Sequence, residues 1–160
     1  MENKHRIYIG YPCVGKTTAS KELIGIIDID SSLFFIDGER VSNWHKLAVK
    51  MALRYLKSGF DIMLTSHKDV CDELALLVKE GVLTTDDVYI IFPSPNLKTE
   101  WIEKIKQRYE DTKLYIHKKA YDNCSVNFDE HISSMESYDC FTRKMITNMN
   151  YRLVEDIING

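Results

Sequence analysis

The sequence predicts an α/β protein of three layers, with a mostly parallel sheet of about five strands. Three observations predict it. Strand-forming runs alternate with helical patterns along the 160 residues. Those runs are apolar throughout rather than alternating, as strands covered on both faces must be. Gly10 and Gly15 fall between the first run and the first helix, at the C-terminal edge where such a sheet binds ligands.

Each element follows from local pattern. Ile7-Tyr8-Ile9 is a short strand ending at Gly10, and a helix begins near Lys16 and stops before Gly25. Residues 26–30 read as a second strand. Ser42 can cap the next helix, in which Trp44, Leu47, Ala48, Met51 and Tyr55 share a face, with Gly59 as its C-terminal stop. A buried-type strand at 60–64 precedes a helix marked by Val70, Leu74, Leu77 and Val78 and ended by Gly81. Residues 88–92 form a strand closed by Pro93-Ser94-Pro95. An amphipathic helix over 97–109 follows, with Trp101, Ile102, Ile105 and Tyr109 facing inward. Residues 111–127 have no clean period. A helix near 128–138, a strand near 144–149 and a short terminal helix complete one domain over 1–160.

Composition narrows the function classes. Twenty-one basic and twenty-four acidic residues leave a net charge of −3, which argues against a nucleic-acid clamp or an anionic membrane surface. With 44% hydrophobic and 28% charged residues, the chain has the makeup of a folded globular protein. No apolar run approaches the ~18 residues of a membrane span, and the start Met-Glu-Asn-Lys-His-Arg has no secretory pattern. Cys13, Cys71, Cys124 and Cys140 lack ligand spacing and read as reduced thiols of a cytoplasmic protein rather than disulfides or a metal site. The isolated histidines His5, His45, His117 and His131 read as surface residues.

Gly10-Tyr11-Pro12-Cys13-Val14-Gly15-Lys16-Thr17 fits G-x-x-x-x-G-K-[ST] at every fixed position. Chance would produce such a match in roughly one chain of this length in a few hundred, and this one also lies between a strand and a helix. In this loop the glycines let backbone N–H groups wrap phosphate, at Cys13, Val14, Gly15 and onward through Thr18. Lys16 reaches the β/γ-phosphates and the Thr17 hydroxyl serves Mg²⁺. The expectation is a nucleoside-triphosphate site for ATP with Mg²⁺.

On these residues the chain resembles the P-loop kinases of small substrates, the nucleoside monophosphate kinases with their shikimate and gluconate kinase cousins. It also looks like small phage-encoded proteins described as nucleotide kinases. The resemblance implies a three-layer P-loop NTPase fold, with a lid segment within 97–127.

Asp28-Ile29-Asp30 places two carboxylates on one face at the end of the second strand. The resemblance to shikimate-type kinases suggests Asp28 near the metal and Asp30 near the acceptor, where it would orient or deprotonate it. A solvated strand end, with Asp30 or Ser31 as a cap, is the plain alternative. No acid ends the third strand. Thr65-Ser66-His67-Lys68 stands there instead, offering His67 or Lys68 to a phosphate, or Ser66 merely as a helix cap.

Phosphoryl transfer needs cations around the moving group. Between 98 and 119, seven Lys/Arg face four acids, and Arg108 is the one arginine, the best candidate for a bidentate phosphate contact. By position alone Arg40 resembles the acceptor-phosphate arginine of many monophosphate kinases, with a surface arginine as the plain alternative. Trp44 or Phe34 and Phe35 could stack an acceptor base, although aromatics at helix spacing are more often core.

The leading expectation is phosphoryl transfer from ATP to a nucleotide, a (deoxy)nucleoside monophosphate. Lys16, Asp30 and Arg108 would be catalytic, Thr17 and Asp28 would hold the metal, and Asp30, Arg40 and His67 would meet the acceptor. The partner would be a small nucleotide, with no nucleic acid or membrane, and with a homodimer left open. A kinase of a hydroxyl acceptor and a nucleotide-binding switch without transfer are the alternatives.

Overall fold

A computed structural model describes residues 4–159; the first three residues, on which the reading of the leader partly rests, and Gly160 lie outside the described residues. The chain runs β1 (Ile7–Gly10), α1 (Lys16–Glu22), β2 (Ile26–Ile29), a hairpin of β3 (Phe35–Ile36) and β4 (Glu39–Arg40), α2 (Trp44–Lys57), β5 (Asp61–Thr65) and α3 (Lys68–Lys79). It continues through β6 (Val88–Pro93), α4 (Lys98–Thr112), α5 (Tyr115–Glu136) and β7 (Thr142–Ile146), and closes with a π-helical turn over Leu153–Ile158.

Five strands form one sheet in the order β2-β5-β1-β6-β7, and every pairing is parallel. The fold is a three-layer α/β arrangement, with a sheet parallel throughout rather than mostly. Continuous apolar runs explain this. Ile7, Tyr8 and Ile9 of the central β1, and Ile62, Met63 and Leu64 beside them, are at most 2% exposed, so both faces of the sheet must be covered. The β1–α1–β2 crossover runs the opposite way across the sheet from the others, which puts α1 on the opposite face. On the other side α2 packs on α3, and α5 reaches α3 where the Tyr138 hydroxyl donates to Asp72 at 2.6 Å.

Register sets the site. Gly10 lies opposite Thr65 on one side and Ile91 on the other, so the loop after β1 emerges between two strand ends. The chain leaves the neighbours β1 and β6 in opposite directions, the condition for a crevice at the carboxyl edge.

Several expectations change. Ser42 does not cap α2. Asn43 precedes it in a left-handed conformation, φ 59°, with no side-chain cap. Burial on α2 follows Trp44, Ala48, Val49 and Ala52, a stripe rotated from the expected one, so Leu47 is 43% exposed. Residues 111–127 are mostly helical rather than irregular, broken only at Lys113–Leu114, and the helix expected at 128–138 is the part of α5 beyond a kink at Asn127 (φ −113°, ψ 15°), ending at Glu136. The pattern hid it because only Cys124, Phe128, Ile132 and Met135 are buried. The first two turns are largely solvated and held by pairs such as Lys118–Asp122. The β3–β4 hairpin around Asp37-Gly38 is too short to show a period. The last strand covers Thr142–Ile146 rather than 144–149.

Candidate functional site

The loop from Gly10 to Thr17 is built by two left-handed residues, Cys13 at φ 69° and Gly15 at φ 109°. Gly10 is needed for space: a Cβ there would stand 2.5 Å from Val14 Cγ2 and 3.3 Å from Lys16 Cδ. The buried Val14 cannot swing away as a flexible chain end would. Lys16 folds back so that its ammonium donates to the Gly10 carbonyl at 2.7 Å. Burial pushes that ammonium below its ordinary value, Asp28 and Asp30 pull it back up, and Arg108 adds to the downward push.

At the position expected to hold a metal, Thr17 Oγ1 donates to Asp28 Oδ2 at 3.3 Å. Burial raises the Asp28 carboxyl, while Lys16 opposes the rise. A hydroxyl and a carboxylate side by side are the hard oxygen donors that Mg²⁺ takes. Among the described residues no three His, Cys, Asp or Glu side chains converge as a metal cage. That suits an ion that fills its remaining positions with water and phosphate oxygens, so the residues fit Mg²⁺.

Asp30 sits just beyond β2 and caps the 3-10 turn Ser31–Phe34, accepting from Ser32 N at 2.9 Å, while still within electrostatic reach of Lys16. The capping alternative therefore holds without removing Asp30 from the loop. Arg108 comes to the loop from α4. It acts on both Lys16 and the Cys13 thiol, and its Nε is buried without a hydrogen-bond partner. A buried, unpartnered guanidinium nitrogen is costly to leave unpaired.

Arg40, His67 and Trp44 form a second cluster. The exposed Arg40 guanidinium lies 4.4 Å from the Trp44 ring centre and 5.2 Å from that of Phe35. His67 meets Trp44 edge-on at 4.9 Å. His67 rather than Ser66 caps α3, with Nδ1 accepting from Asp69 N at 3.3 Å. Burial lowers the His67 imidazole, and Arg40 lowers it further. Trp44 and Phe34 are buried, and Arg40 covers a face of the indole, so neither ring is open to stack a base.

Two regions were not legible as site in the sequence. His117, expected on the surface, is half-buried in the first turn of α5, where burial and Arg108 lower it and Asp30 raises it. His131 is half-buried as well, with Nδ1 2.9 Å from the Tyr11 hydroxyl. The second region is the tail: a cleft of about 480 Å³ beside the loop is lined by Gly15, Thr18, Lys104, Tyr151, Arg152 and Leu153 among others. No motif marks the tail, because its residues matter only through where they pack. All four cysteines are free thiols, and no helix among the described residues is long and apolar enough to cross a membrane.

No family model matches the chain, and no curated protein matches it significantly. Among solved structures it is similar to a chain from the PezAT chromosomal toxin–antitoxin system of the human pathogen Streptococcus pneumoniae. The identity is 15% and the TM-score 0.41, with 94% of this chain and 72% of that chain covered.

Proposed function

We propose that this protein is a phosphotransferase that moves the γ-phosphoryl group of ATP to a nucleotide, a (deoxy)nucleoside monophosphate. The observation that carries the reading is the convergence of Lys16, Arg108 and the Thr17–Asp28 pair on one glycine loop at the carboxyl edge of the sheet. Cations that burial and mutual repulsion hold at a cost are groups prepared for an anion.

The loop's N–H groups and Lys16 hold the donor's phosphates. When the triphosphate enters, Lys16 trades the Gly10 carbonyl for a phosphate oxygen and its depressed ammonium is restored. Arg108 gives its unpaired Nε–H to the transferring group, where charge spreads over the equatorial oxygens. Mg²⁺ held by Thr17 and Asp28 would neutralise charge across the donor's phosphates. The cleft of about 480 Å³ beside Thr18 is of a size to take the donor's nucleoside. Asp30 orients the acceptor, and Arg40 and His67 bind its phosphate. The hairpin of α4 and α5 serves as the lid that excludes water.

The test is Mg²⁺-dependent ADP release from ATP, scanned over ribo- and deoxynucleoside monophosphates, with a no-acceptor control and Lys16→Ala. Turnover with one monophosphate that is lost in Lys16→Ala is the expected result. ATP binding without stimulation by any monophosphate would sink the acceptor assignment and favour a hydroxyl acceptor or a switch.

A further inference from the structure

The phosphate loop is braced from outside by side chains that belong to no loop motif. Trp101, fully buried on α4, donates its indole N–H to the Pro12 carbonyl at 2.8 Å. Tyr151, in the tail beyond β7, donates its hydroxyl to the Val14 carbonyl at 2.5 Å. The two rings lie parallel within 19°, centres 6.0 Å apart. The Lys104 ammonium sits 4.7 Å from one ring centre and 5.3 Å from the other. One stack thus joins α4, the tail and the loop.

The consequence follows from peptide geometry. No peptide among the described residues is cis, so each C=O points opposite to the N–H of the next residue. A Pro12 carbonyl held outward by Trp101 turns the Cys13 N–H inward. A Val14 carbonyl held outward by Tyr151 does the same for the Gly15 N–H. Cys13 is also the loop's one left-handed residue with a side chain, at φ 69°, a conformation a free chain would not hold unaided. The Trp101 brace therefore grips the carbonyl before a residue of unfavourable φ, and the Tyr151 brace the carbonyl before the glycine that opens α1.

We propose that Trp101 and Tyr151 are positioning residues that aim the Cys13 and Gly15 amides at the polyphosphate, with Lys104 clamping the stack, so that α4 and the tail set phosphate affinity without touching phosphate through these rings. This rests on the loop binding phosphate, as proposed above. It goes further in assigning the loop's shape to residues about 90 and 137 positions away in sequence.

Tyr151→Phe tests it, because the ring and its stacking stay and one hydrogen bond goes. Binding of tripolyphosphate, ATP and GTP is measured by calorimetry, and the melting temperature is measured alongside. Loss of one such bond is expected to weaken tripolyphosphate roughly fivefold, and ATP and GTP by at least that factor, since Tyr151 also lines the cleft assigned to the nucleoside. Trp101→Phe, which keeps a ring and removes the indole N–H, should act in the same direction. If Trp101→Phe does not fold, Tyr151→Phe decides alone. Unchanged tripolyphosphate affinity in Tyr151→Phe, with or without a lower melting temperature, overturns the brace and leaves the phosphate-loop reading intact. Failure of the wild-type protein to bind tripolyphosphate or either nucleotide overturns the phosphate-loop reading, and the brace with it.

Discussion

The glycine loop and the Arg40–Trp44–His67 cluster, the proposed donor and acceptor sides, are made in different ways. The donor side is backbone: a run of eight residues from Gly10 to Thr17, seated between β5 and β6 by register and shaped by two left-handed residues. The proposed acceptor side is side chains: Arg40 from a six-residue hairpin, Trp44 from the start of α2 and His67 from the cap of α3. Backbone geometry demands particular residue types at fixed spacing, so it leaves a motif. A cluster of side chains from three elements leaves none, because any spacing serves once the elements pack.

The largest effect expected from breaking this contrast is on the acceptor side. Trp44 is only 7% exposed and carries both Arg40 and His67 on its ring. Trp44→Ala should cost about 3–5 kcal/mol of stability, read by denaturant unfolding, as for other buried aromatic truncations. A small loss would mean that the ring is available for ligand after all.

Lys16→Ala sharpens the donor side. The rate of transfer should fall by about 10²–10³-fold, the effect of removing one preorganised charge donor, with no loss of melting temperature, because burial already strains the ammonium. A fall of less than tenfold would leave Lys16 a structural tether to the Gly10 carbonyl.

Arg40→Ala separates the two sides. The guanidinium is exposed but lies on the Trp44 ring, so folding should lose no more than about 1 kcal/mol, while the KM for the acceptor rises roughly tenfold and the KM for ATP stays put. An equal rise in both would place Arg40 on the shared phosphate.

The smallest effect is titration. His67 on the acceptor side and His117 beside Arg108 are both held below the ordinary imidazole value, chiefly by burial. The folded protein therefore binds fewer protons than the unfolded chain, and stability falls as pH drops below about 6.5 toward the depressed values. Protonation of His67 also removes the acceptor that caps Asp69 N. His67→Gln should flatten the acid limb of melting temperature against pH, and an unchanged slope would assign that limb to other groups.

The fold was legible where the physics is local and periodic. Fully apolar strands announced a sheet covered on both faces, and the spacing of Gly10, Gly15, Lys16 and Thr17 announced the loop. α5 was not legible, since its first turns are solvated and held by charge pairs rather than by an apolar stripe. Ser42 and Ser66 looked like caps, yet Asn43 precedes α2 with no side-chain cap and His67 caps α3.

By itself the sequence determined the parallel α/β layering and the position of the glycine loop, because strand burial and left-handed backbone restrict residue type one position at a time. Tertiary structure alone decided which distant groups serve that loop. Arg108 comes near Lys16, and His117 near Arg108 and Asp30, because α4 and α5 fold back as a hairpin, and Trp101 and Tyr151 meet the loop because the tail packs beside α4. Those contacts join residues far apart in the chain, and no local rule of composition or spacing records a contact that only packing creates.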